Sequence, residues 1–509
     1  MSSTTQGHRG AQAAPVGKYE FVVVANRLPL DRVEDPDGQV SWRRSPGGLV
    51  TALQPVMQKA DGAWVGWTGA PGPAPEPFDE AGMRLVGVSL SAEDIRDYYE
   101  GFSNDTLWPL YHDVIAPPRF RRTWWDAYVR VNERFAKAAA EQAADAAVVW
   151  VQDYQLQLVP GMLRASRPDL RIGFFNHIPF PGYEIFAQLP WRRQIVEGLL
   201  GADLLGFQRQ GDATNFLRAC RRAAGLTTKG SLVRVPRSWP GDVTANSVGR
   251  RRSSRAGTDD RTVRAATFPI SIDSAGFEAI ARRPEVKARA VEIRQALGHP
   301  KTLLLGVDRL DYTKGIAHRL KAYGELLKEG RLTTPDDTLV LVASPSRERV
   351  EQYRRLRDEV EVTVGRINGE FGKVGNAPVH YLHQSYPQEE MAALYLAADV
   401  MLVTSLRDGM NLVAKEYVAC RYDETGALVL SEFTGAADEL GSAFLVNPHD
   451  IAGLKDAIVR AARMSPSDAR RRMRSMRRRV AEYDVSHWAE TFLDALHGQP
   501  EEAESAHPL

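Results

Sequence analysis

Short runs of consecutive apolar residues recur along the chain, and each run ends in a polar or glycine-containing turn. Clear examples are residues 21–25, 147–151, 302–307, 339–343, 400–403 and 427–430. Unbroken apolar runs of this length are typical of parallel strands that are buried on both faces of a sheet. Helical segments separate these runs in both halves of the chain. The pattern predicts an α/β fold with two doubly wound, Rossmann-like domains that face one another across a cleft.

Composition narrows the class of protein. A chain of 509 residues is long for a single core, and its 43% hydrophobic and 25% charged content is that of a globular protein. The formal net charge of +1 gives no global field that would favour nucleic acid or a membrane. Residues 1–18 have no apolar core of a signal peptide, and no apolar run approaches the ~18 residues of a membrane helix. The two cysteines, Cys220 and Cys420, have no metal-binding spacing and favour a reduced, cytoplasmic setting.

The stretch of residues 403–417, VTSLRDGMNLVAKEY, is the most informative part of the chain. It places a tight polar turn between a buried strand and a helix, whose first N–H groups and dipole favour an anion. Gly409 allows close approach of a ligand to the backbone. Asp408 and Glu416 stand about two helical turns apart, so they could hold two parts of one long ligand. Taken alone, an Asp-Gly turn and a surface glutamate remain the commoner explanation.

Polar residues also follow other predicted strands. Asp153 and His177 stand at two successive strand ends, and neighbouring parallel strands bring their ends to one edge of a sheet. A shared cleft therefore explains them better than two unrelated structural roles. Arg309 and Lys314 follow the strand at 302–307, where two cations would suit a diphosphate. A solvated surface pair is the alternative.

Five motifs carry a resemblance to a known family. They are NR at 26–27 with SPGGL at 45–49, YYEGFSN at 98–104 with LWP at 107–109, FFNHIPFP at 174–181, VDRLDYTKG at 307–315 and RDGMNLVAKEY at 407–417. Together they resemble the trehalose-6-phosphate synthases, which are retaining glycosyltransferases of the GT-B type. The resemblance covers about residues 21–496.

The resemblance implies a reaction and a set of site residues. Glucose would pass from a nucleoside diphosphate glucose to glucose 6-phosphate with retention, in a front-face step without an enzymic nucleophile, a metal or another cofactor. The implied acceptor site consists of Arg27, Tyr99, Trp108, Asp153 and Arg347. The implied donor site consists of Gly48, His177, Arg309, Lys314, Tyr386, Asp408, Gly409, Met410, Asn411, Leu412, Val413 and Glu416. The residues expected to act in catalysis are Asp153, His177, Arg309, Lys314 and Asp408.

The chain departs from the family pattern at Gln152 and Gln155, where many members have histidine. The departure leaves Asp153 in place and alters the groups around it. The segment expected near the nucleobase, from His380 to Tyr386, also varies from the pattern. The donor base, uridine or guanosine, therefore stays open.

The resemblance also suggests how the chain is divided. We expect a disordered tail over 1–18, an acceptor domain over 19–266, a nucleotide-sugar domain over 267–480, a helix over 481–497 that crosses back to the first domain, and a loose tail over 498–509. Residues of about 229–264 are expected to form a flexible basic insertion, which is better explained as a solvated loop than as a nucleic-acid patch. Residues 365–372, with three glycines, are expected to form a loop. The arginine-rich run at 470–479 is expected to be a helix with Met473 and Met476 facing inward.

Three other functions are alternatives to the activity that the resemblance implies. A related glycosyltransferase could use another phosphorylated acceptor, such as glycerol 3-phosphate, and a non-catalytic relative could only bind sugar phosphates. A dinucleotide-dependent dehydrogenase is disfavoured because no predicted strand is followed by G-x-G-x-x-G.

Expected partners are the small-molecule substrates and a separate phosphatase that would finish trehalose. A homo-oligomer is compatible with the sequence.

Overall fold

The computed structural model describes residues 18–34, 40–44, 53, 57, 62–80, 82–236 and 260–498. Several predictions concern residues outside these ranges. They are the tail at 1–17, the donor contact at Gly48, the centre of the insertion at 237–259, and the C-terminal residues 499–509.

The strands of the first part of the chain build one large sheet and one small ribbon. In chain order they are β1 (Tyr19–Arg27), β2 (Leu30–Glu34), β3 (Val40–Arg44), β4 (Ala63–Trp67), β5 (Phe78–Glu80), β6 (Met83–Gly87), β7 (Ala143–Gln152), β8 (Arg171–Asn176), β9 (Leu204–Phe207), β10 (Thr227–Lys229), β11 (Leu232–Val235) and β12 (Arg261–Thr267). β2 and β3 pair only with one another, antiparallel. The other ten lie in the order β10-β11-β12-β9-β8-β7-β1-β4-β6-β5.

This ten-stranded sheet is parallel from β12 to β6, and only its two edges are antiparallel. The chain proceeds from β1 towards one edge through β4 and β6, and then returns to the other side of β1 with β7. The strand order therefore reverses between β1 and β7. In open α/β sheets, ligands bind beyond the carboxyl ends of the strands at such a reversal.

The second sheet is entirely parallel. Its strands are β13 (Thr302–Arg309), β14 (Asp337–Ser344), β15 (Val379–Leu382), β16 (Val400–Val403), β17 (Ala427–Ser431) and β18 (Phe444–Val446). They lie in the order β15-β14-β13-β16-β17-β18, which is the doubly wound order of a Rossmann domain. Here the order reverses between β13 and β16. The fold is thus α/β with two Rossmann-like sheets, as the sequence predicts.

Helices cover both faces of each sheet. The α-helices are Ala92–Asp94, Trp108–Tyr111, Arg122–Gln142, Val159–Ser166, Tyr183–Phe186, Arg192–Leu199, Gln210–Ala219, Ser274–Arg282, Pro284–Ala296, Ile316–Lys328, Glu351–Phe371, Gln388–Ala397, Leu412–Cys420, Ile451–Ala462, Pro466–Glu482 and Val485–His497. Ile95–Leu107 and Cys220–Ala224 have π-helical hydrogen bonding, and Tyr154–Leu156, Tyr312–Lys314 and Gly435–Asp438 are short 3₁₀ turns.

The unbroken apolar runs are explained by burial on both sides. In β1, Val22 and Val24 belong to the core on one face, while Phe21 and Val23 belong to the core on the other. Successive side chains of a strand point to opposite faces, so a strand covered on both sides must be apolar at every position. The same holds for β13 in the second sheet.

The last helix, Val485–His497, packs against the first sheet although the preceding helices belong to the second. Phe492 stacks on Trp150 of β7 with ring centroids 4.5 Å apart. Trp488 lies edge-on to Phe175 of β8 at 5.0 Å. These aromatic side chains are fully buried, and aromatic burial of this size contributes strongly to a core. The helix therefore supplies one wall of the first domain's core.

The structure corrects two predictions. The expected irregular insertion at about 229–264 is wrong at both ends, where β11 and β12 form an antiparallel pair at the sheet edge. Val233 and Val263 are buried there, so these short strands have one apolar face despite their polar composition. The expected loop at 365–372 is also wrong, because the helix Glu351–Phe371 continues through it. Gly365 and Gly369 lie on its exposed face, where a missing side chain leaves packing intact.

The arginine-rich helix and the two cysteines also bear on the sequence analysis. On the helix Pro466–Glu482, Met473 and Met476 face inward and are buried, as predicted. Both cysteines, Cys220 and Cys420, are buried and free. Within the part of the chain that the structure describes, no helix is both long enough and apolar enough to span a bilayer.

Candidate active site

A cavity of about 540 Å³ lies where the carboxyl edges of the two sheets face one another. The first sheet and its loops contribute Tyr99, Trp108, His112, Asp153, Tyr154, Gln155, His177 and Ile178. The second half of the chain contributes Ile272, Phe277, Asp308, Arg309, Lys314, Arg347, Tyr386, Gln388, Met391, Asp408, Gly409, Met410, Asn411, Leu412, Val413 and Glu416. The strand-end residues predicted from the sequence therefore meet in one place.

A buried ion pair lies at the reversal point of the second sheet. Lys314 follows β13, Asp408 follows β16, and the Nζ–Oδ2 distance is 2.6 Å. Burial raises the pKa of Asp408, but the Lys314 ammonium and hydrogen bonds from the Met410 N–H and the Asn411 amide outweigh it and lower the pKa to about 2. Asp408 is therefore an anion throughout the neutral range, held in one orientation.

The turn that carries Asp408 has little free space around it. A Cβ on Gly409 would lie 2.5 Å from the His177 carbonyl oxygen, so only glycine permits this approach between the two halves of the chain. Asn411 has a φ of +64° and accepts a hydrogen bond from the Ala414 N–H, which caps the helix Leu412–Cys420. Leu412 and Val413 begin that helix and line the cavity. The positive end of the helix dipole therefore faces the cavity.

The first sheet contributes an acid and a histidine. Burial raises the pKa of Asp153 to about 6, although its carboxylate is hydrogen-bonded to the N–H groups of Tyr154 and His177. Burial alone lowers the pKa of His177 to about 3, so its ring is neutral. The His177 Nε2 atom lies 2.8 Å from the Gln152 Oε1 atom. Both side chains stand where their strands end, as the sequence predicts.

Arg347 and Trp108 form a second cationic and aromatic group. The Arg347 guanidinium lies 3.8 Å from the centroid of the Trp108 ring, within the range of a cation–π interaction. It also donates to the Tyr154 hydroxyl at 3.1 Å and pairs with the Asp311 carboxylate at 3.4 Å. Arg347 itself has a φ of +49°, which is uncommon for a side chain of this size. Its position is therefore fixed from several sides.

Arg309, by contrast, is exposed to the cavity. Its guanidinium lies 5.4 Å from the Trp108 ring, and no carboxylate within the described ranges pairs with it. Tyr99 lines the cavity and packs edge-on against Trp67 at 5.6 Å. The Arg27 guanidinium also lies near Trp67, 5.0 Å from its ring centroid, and Arg27 does not line the cavity. The structure thus brings together all the predicted site residues that it describes except Arg27, which neighbours the same tryptophan as Tyr99.

The far end of the cavity is apolar with a few polar groups. Ile272, Phe277 and Met391 line it together with Tyr386 and Gln388. On the helix Leu412–Cys420, the Glu416 carboxylate accepts a hydrogen bond from the Tyr395 hydroxyl at 2.9 Å. Burial raises the pKa of Glu416. Such a mixture of apolar walls and single polar groups is typical of a small-molecule site.

Ion pairs join the two halves of the chain beside the cavity. Arg209 forms two hydrogen bonds with the Asp438 carboxylate, at 2.6 and 2.7 Å. Arg407, directly before Asp408, lies 3.2 Å from Asp113 and 3.5 Å from Asp212. These contacts hold the carboxyl edges of the two sheets together.

Sequence reasoning missed several groups that support the site. His112 lies under Trp108 with ring centroids 4.1 Å apart, and burial lowers its pKa to about 4. The fully buried Asp311 accepts a hydrogen bond from the Tyr353 hydroxyl at 3.1 Å. Asp311 stands within the VDRLDYTKG motif, which was the available signal. His112 and Tyr353 carry no motif, because their roles arise from packing between distant elements.

The site shows no arrangement for a metal. Within the described residues, no group of three or more His, Cys, Asp or Glu side chains is placed so that it could hold an ion. The charges that line the cavity are instead those of Arg309, Lys314, Arg347 and their carboxylate neighbours.

Comparison with known proteins matches most of the chain to one family. The model of glycosyltransferase family 20 matches residues 19–498. The trehalose-6-phosphate synthase of Mycolicibacterium gilvum (strain PYR-GCK) is 56% identical over 503 residues, which is 98% of this chain and 97% of the relative.

Solved structures resemble the whole fold. The UDP-forming α,α-trehalose-phosphate synthase of Burkholderia xenovorans in complex with glucose 6-phosphate superposes with a TM-score of 0.82 at 33% identity, covering 94% of this chain and 100% of the other. An E. coli structure bound with UDP-2-fluoro glucose superposes with a TM-score of 0.81 at 33% identity, covering 94% and 98% of the two chains.

The raised pKa of Asp153 predicts how stability depends on pH. An ordinary aspartate has a pKa of about 3.9, so between about pH 4 and pH 6 the unfolded chain ionises Asp153 while burial keeps it largely protonated in the folded protein, and stability falls as the pH rises through this window. Asp153→Asn removes that charge and keeps an oxygen that can accept the His177 N–H. We expect the variant to melt at a higher temperature than the wild type at pH 8, with the difference shrinking as the pH falls towards 4. Thermal unfolding followed by fluorescence measures this.

Asp169→Asn is the matched control with the opposite sign. The hydrogen bonds from Arg167 lower the pKa of Asp169 to about 2. Its ionised form therefore stabilises the fold above the ordinary pKa, and its loss lowers the melting temperature at neutral pH. A pH-independent difference between Asp153→Asn and the wild type would contradict the assignment.

Proposed function

The chain belongs to glycosyltransferase family 20, and on that premise we propose that it transfers glucose, with retention of configuration, from a nucleoside diphosphate glucose to glucose 6-phosphate. The product is α,α-trehalose 6-phosphate. One observation carries the proposal: cations and hydrogen-bonding side chains line the same cavity. The second sheet supplies the cations Lys314 and Arg309, and the first sheet supplies Asp153 and His177, which are suited to sugar hydroxyls.

The donor occupies the second half of the cavity in this proposal. The diphosphate lies against Lys314, Arg309 and the N-terminus of the helix Leu412–Cys420, where point charge, guanidinium and helix dipole all favour an anion. Asp408 accepts hydrogen bonds from glucose hydroxyls, since its carboxylate is ionised and fixed. Glu416 accepts from the ribose, and the base lies in the apolar end beside Tyr386.

The acceptor occupies the first half. Its phosphate lies against Arg347, beside the rings of Trp108 and Tyr99, and its sugar hydroxyls lie near Asp153. Arg347 is suited to a phosphate because its planar guanidinium can bind two oxygens at once. Arg27 joins it in this proposal, since its guanidinium lies near Trp67, the ring against which Tyr99 packs.

The chemical step breaks the bond between the anomeric carbon and the leaving phosphate oxygen. The acceptor hydroxyl then forms the new bond on the same face, and its proton passes to the leaving phosphate. Negative charge builds on the diphosphate as the first bond stretches. Lys314, Arg309 and the helix N-terminus lower the barrier because they are already oriented towards that charge. No side chain needs to act as a nucleophile.

The proposal also implies a cellular compartment, the role of the cations and a further enzyme. Two free, buried thiols are compatible with the reducing cytoplasm, where we place the reaction. The nucleotide sugar is a substrate, and the cationic groups take the role that a metal would otherwise have. Because the product is a phosphate ester, we expect a separate phosphatase to complete the formation of trehalose.

Direct assay tests the function. Purified protein is incubated with UDP-glucose or GDP-glucose and with glucose 6-phosphate, glycerol 3-phosphate or unphosphorylated glucose, and products are identified by mass spectrometry and NMR. We expect trehalose 6-phosphate with an α,α linkage from at least one donor. Transfer only to glycerol 3-phosphate would assign the other acceptor, and no transfer from either donor would contradict the proposal.

Lys314→Ala tests the stabilisation of the leaving group. We expect kcat to fall by ~10²-fold or more, the scale of losing one preorganised donor to a developing charge. Lys301→Ala is the control, since Lys301 pairs with Asp336 on the exposed surface. Unchanged kcat of Lys314→Ala at saturating donor would refute the assignment.

Arg347→Lys tests the acceptor phosphate site. A lysine keeps the charge and loses the paired hydrogen bonds, so we expect the KM for glucose 6-phosphate to rise by roughly 10- to 100-fold, on the scale of a charged hydrogen bond. The KM for the donor should change little. Arg349→Lys, at an exposed position two residues away, is the control. An equal rise in both KM values would show that Arg347 does not discriminate between the substrates.

A further inference from the structure

The ring of His177, at the carboxyl edge of the first sheet, makes one hydrogen bond to the described part of the protein. Gln152 is the last residue of β7 and pairs with Phe175 of β8 in the parallel register, which places its side chain on the same face as that of His177, two residues further on. The Gln152 amide oxygen lies 2.8 Å from the His177 Nε2 atom. Both side chains are almost completely buried.

The Gln152 amide turns its oxygen towards the ring and leaves its own Nε2 group without a partner among the described residues. In this amide orientation the oxygen can only accept, so the Nε2 atom of a neutral ring donates to it and the Nδ1 atom is left with a lone pair. The ring is neutral because burial lowers the pKa of His177 to about 3. Among the described residues, the Nδ1 atom is buried and has no hydrogen-bond partner.

A buried acceptor without a partner is costly, and such groups in a binding site are commonly completed by the ligand. His177 lines the cavity, and its other ring contacts are with Phe175 at 4.6 Å and Trp488 at 6.1 Å between centroids. Phe175 has no donor, and the Trp488 indole N–H, although it has no partner of its own among the described residues, does not donate to the Nδ1 atom. A sugar hydroxyl in the cavity would do so.

We propose that Gln152 is a positioning residue: its amide oxygen accepts the Nε2 proton of His177 and thereby presents the Nδ1 lone pair to a hydroxyl of a sugar bound in the cavity. The inference rests on the proposed function for the identity of the ligand, and on the geometry for the state of the ring. Gln152 touches no substrate. It acts by keeping the imidazole in one orientation and one tautomer, as the partners of functional histidines generally do.

The charged groups around His177 limit how its ring could titrate. The Asp153 carboxylate accepts the backbone N–H of His177 at 3.1 Å. The turn bearing Gly409 packs against the His177 carbonyl and carries the Asp408–Lys314 pair. On the sides formed by β8 and the last helix, the ring contacts are aromatic. A glutamine at position 152 adds no charge, so the tautomer should stay the same across the neutral range.

Nitrogen NMR of the whole protein reads the tautomer directly. Protein labelled with ¹⁵N-histidine is compared with His177→Ala to identify the signals of this ring. We expect a protonated Nε2 and an unprotonated Nδ1 between pH 5 and pH 8, and a shift of the Nδ1 signal on addition of the nucleotide sugar or of glucose 6-phosphate. A proton on Nδ1, or no shift with either substrate, would overturn the proposal.

Two substitutions at Gln152 separate positioning from mere packing. Gln152→Met keeps the size and loses the acceptor, so the single tautomer should be lost and kcat/KM should fall by about tenfold, the scale of one hydrogen bond. Gln152→Glu keeps the acceptor and adds a charge that raises the pKa of His177. Its activity should therefore equal that of the wild type at high pH and fall as the pH decreases, because the imidazolium has no lone pair. Asp153 titrates in all three proteins, so the additional fall relative to the wild type is the relevant quantity.

Gln208→Met is the matched control. Gln208 is also a buried glutamine after a strand of the first sheet, and its oxygen accepts the Ile270 N–H at 2.9 Å. We expect it to lower the melting temperature without moving the His177 signals. A wild-type tautomer in Gln152→Met, or the wild-type pH profile in Gln152→Glu, would overturn the proposal. The NMR result stands without any turnover, so a failure of this inference can be told from a failure of the proposed function.

Discussion

The ion pair between Lys314 and Asp408 is the interaction on which the second half of the site depends. Two opposite charges buried 2.6 Å apart lose much of their hydration, and such pairs are often no more stable than apolar side chains in their place. Stability alone therefore does not account for it. The pair keeps a fixed anion and a fixed cation next to one another, as the proposed binding of sugar hydroxyls and phosphate oxygens requires. The fold tolerates the cost because the Asp408 carboxylate is further bonded to the Met410 N–H and the Asn411 amide.

The strand order explains why these groups meet. In each sheet the order in which strands are added reverses, between β1 and β7 in the first sheet and between β13 and β16 in the second. At each reversal the loops diverge to opposite sides and leave a crevice beyond the strand ends. The two crevices face one another, and contacts such as Arg209 with Asp438 hold them together. A single cavity with two chemically different halves results, which is the arrangement required when one sugar passes between two phosphorylated molecules.

The sequence predicted the groups that stand directly at strand ends, and it did so for a physical reason. Asp153, His177 and Lys314 follow apolar runs of the kind typical of buried parallel strands, so their positions follow from the predicted fold class. The family resemblance then supplied roles that the residues alone left open. Gln152 could be named but its contact could not, because the hydrogen bond to His177 depends on the register between β7 and β8. The same limit applies to the Tyr353 hydroxyl, which reaches Asp311 from a distant helix. Polar or glycine-rich composition misled at β11 and in the helix Glu351–Phe371, where a few buried side chains decide the structure.

The last helix has a consequence for how the protein is made. Every strand of the first sheet has been synthesised by Thr267, yet Trp488 and Phe492, which pack on Trp150 and Phe175, follow only after the second sheet. During translation these surfaces stay open to solvent while the whole second sheet emerges from the ribosome. The wall behind His177 is thus completed only after the second sheet has left the exit tunnel. A nascent chain therefore cannot complete this cavity before the helix Val485–His497 is made, and a chain without that helix would expose the aromatic side chains that it covers.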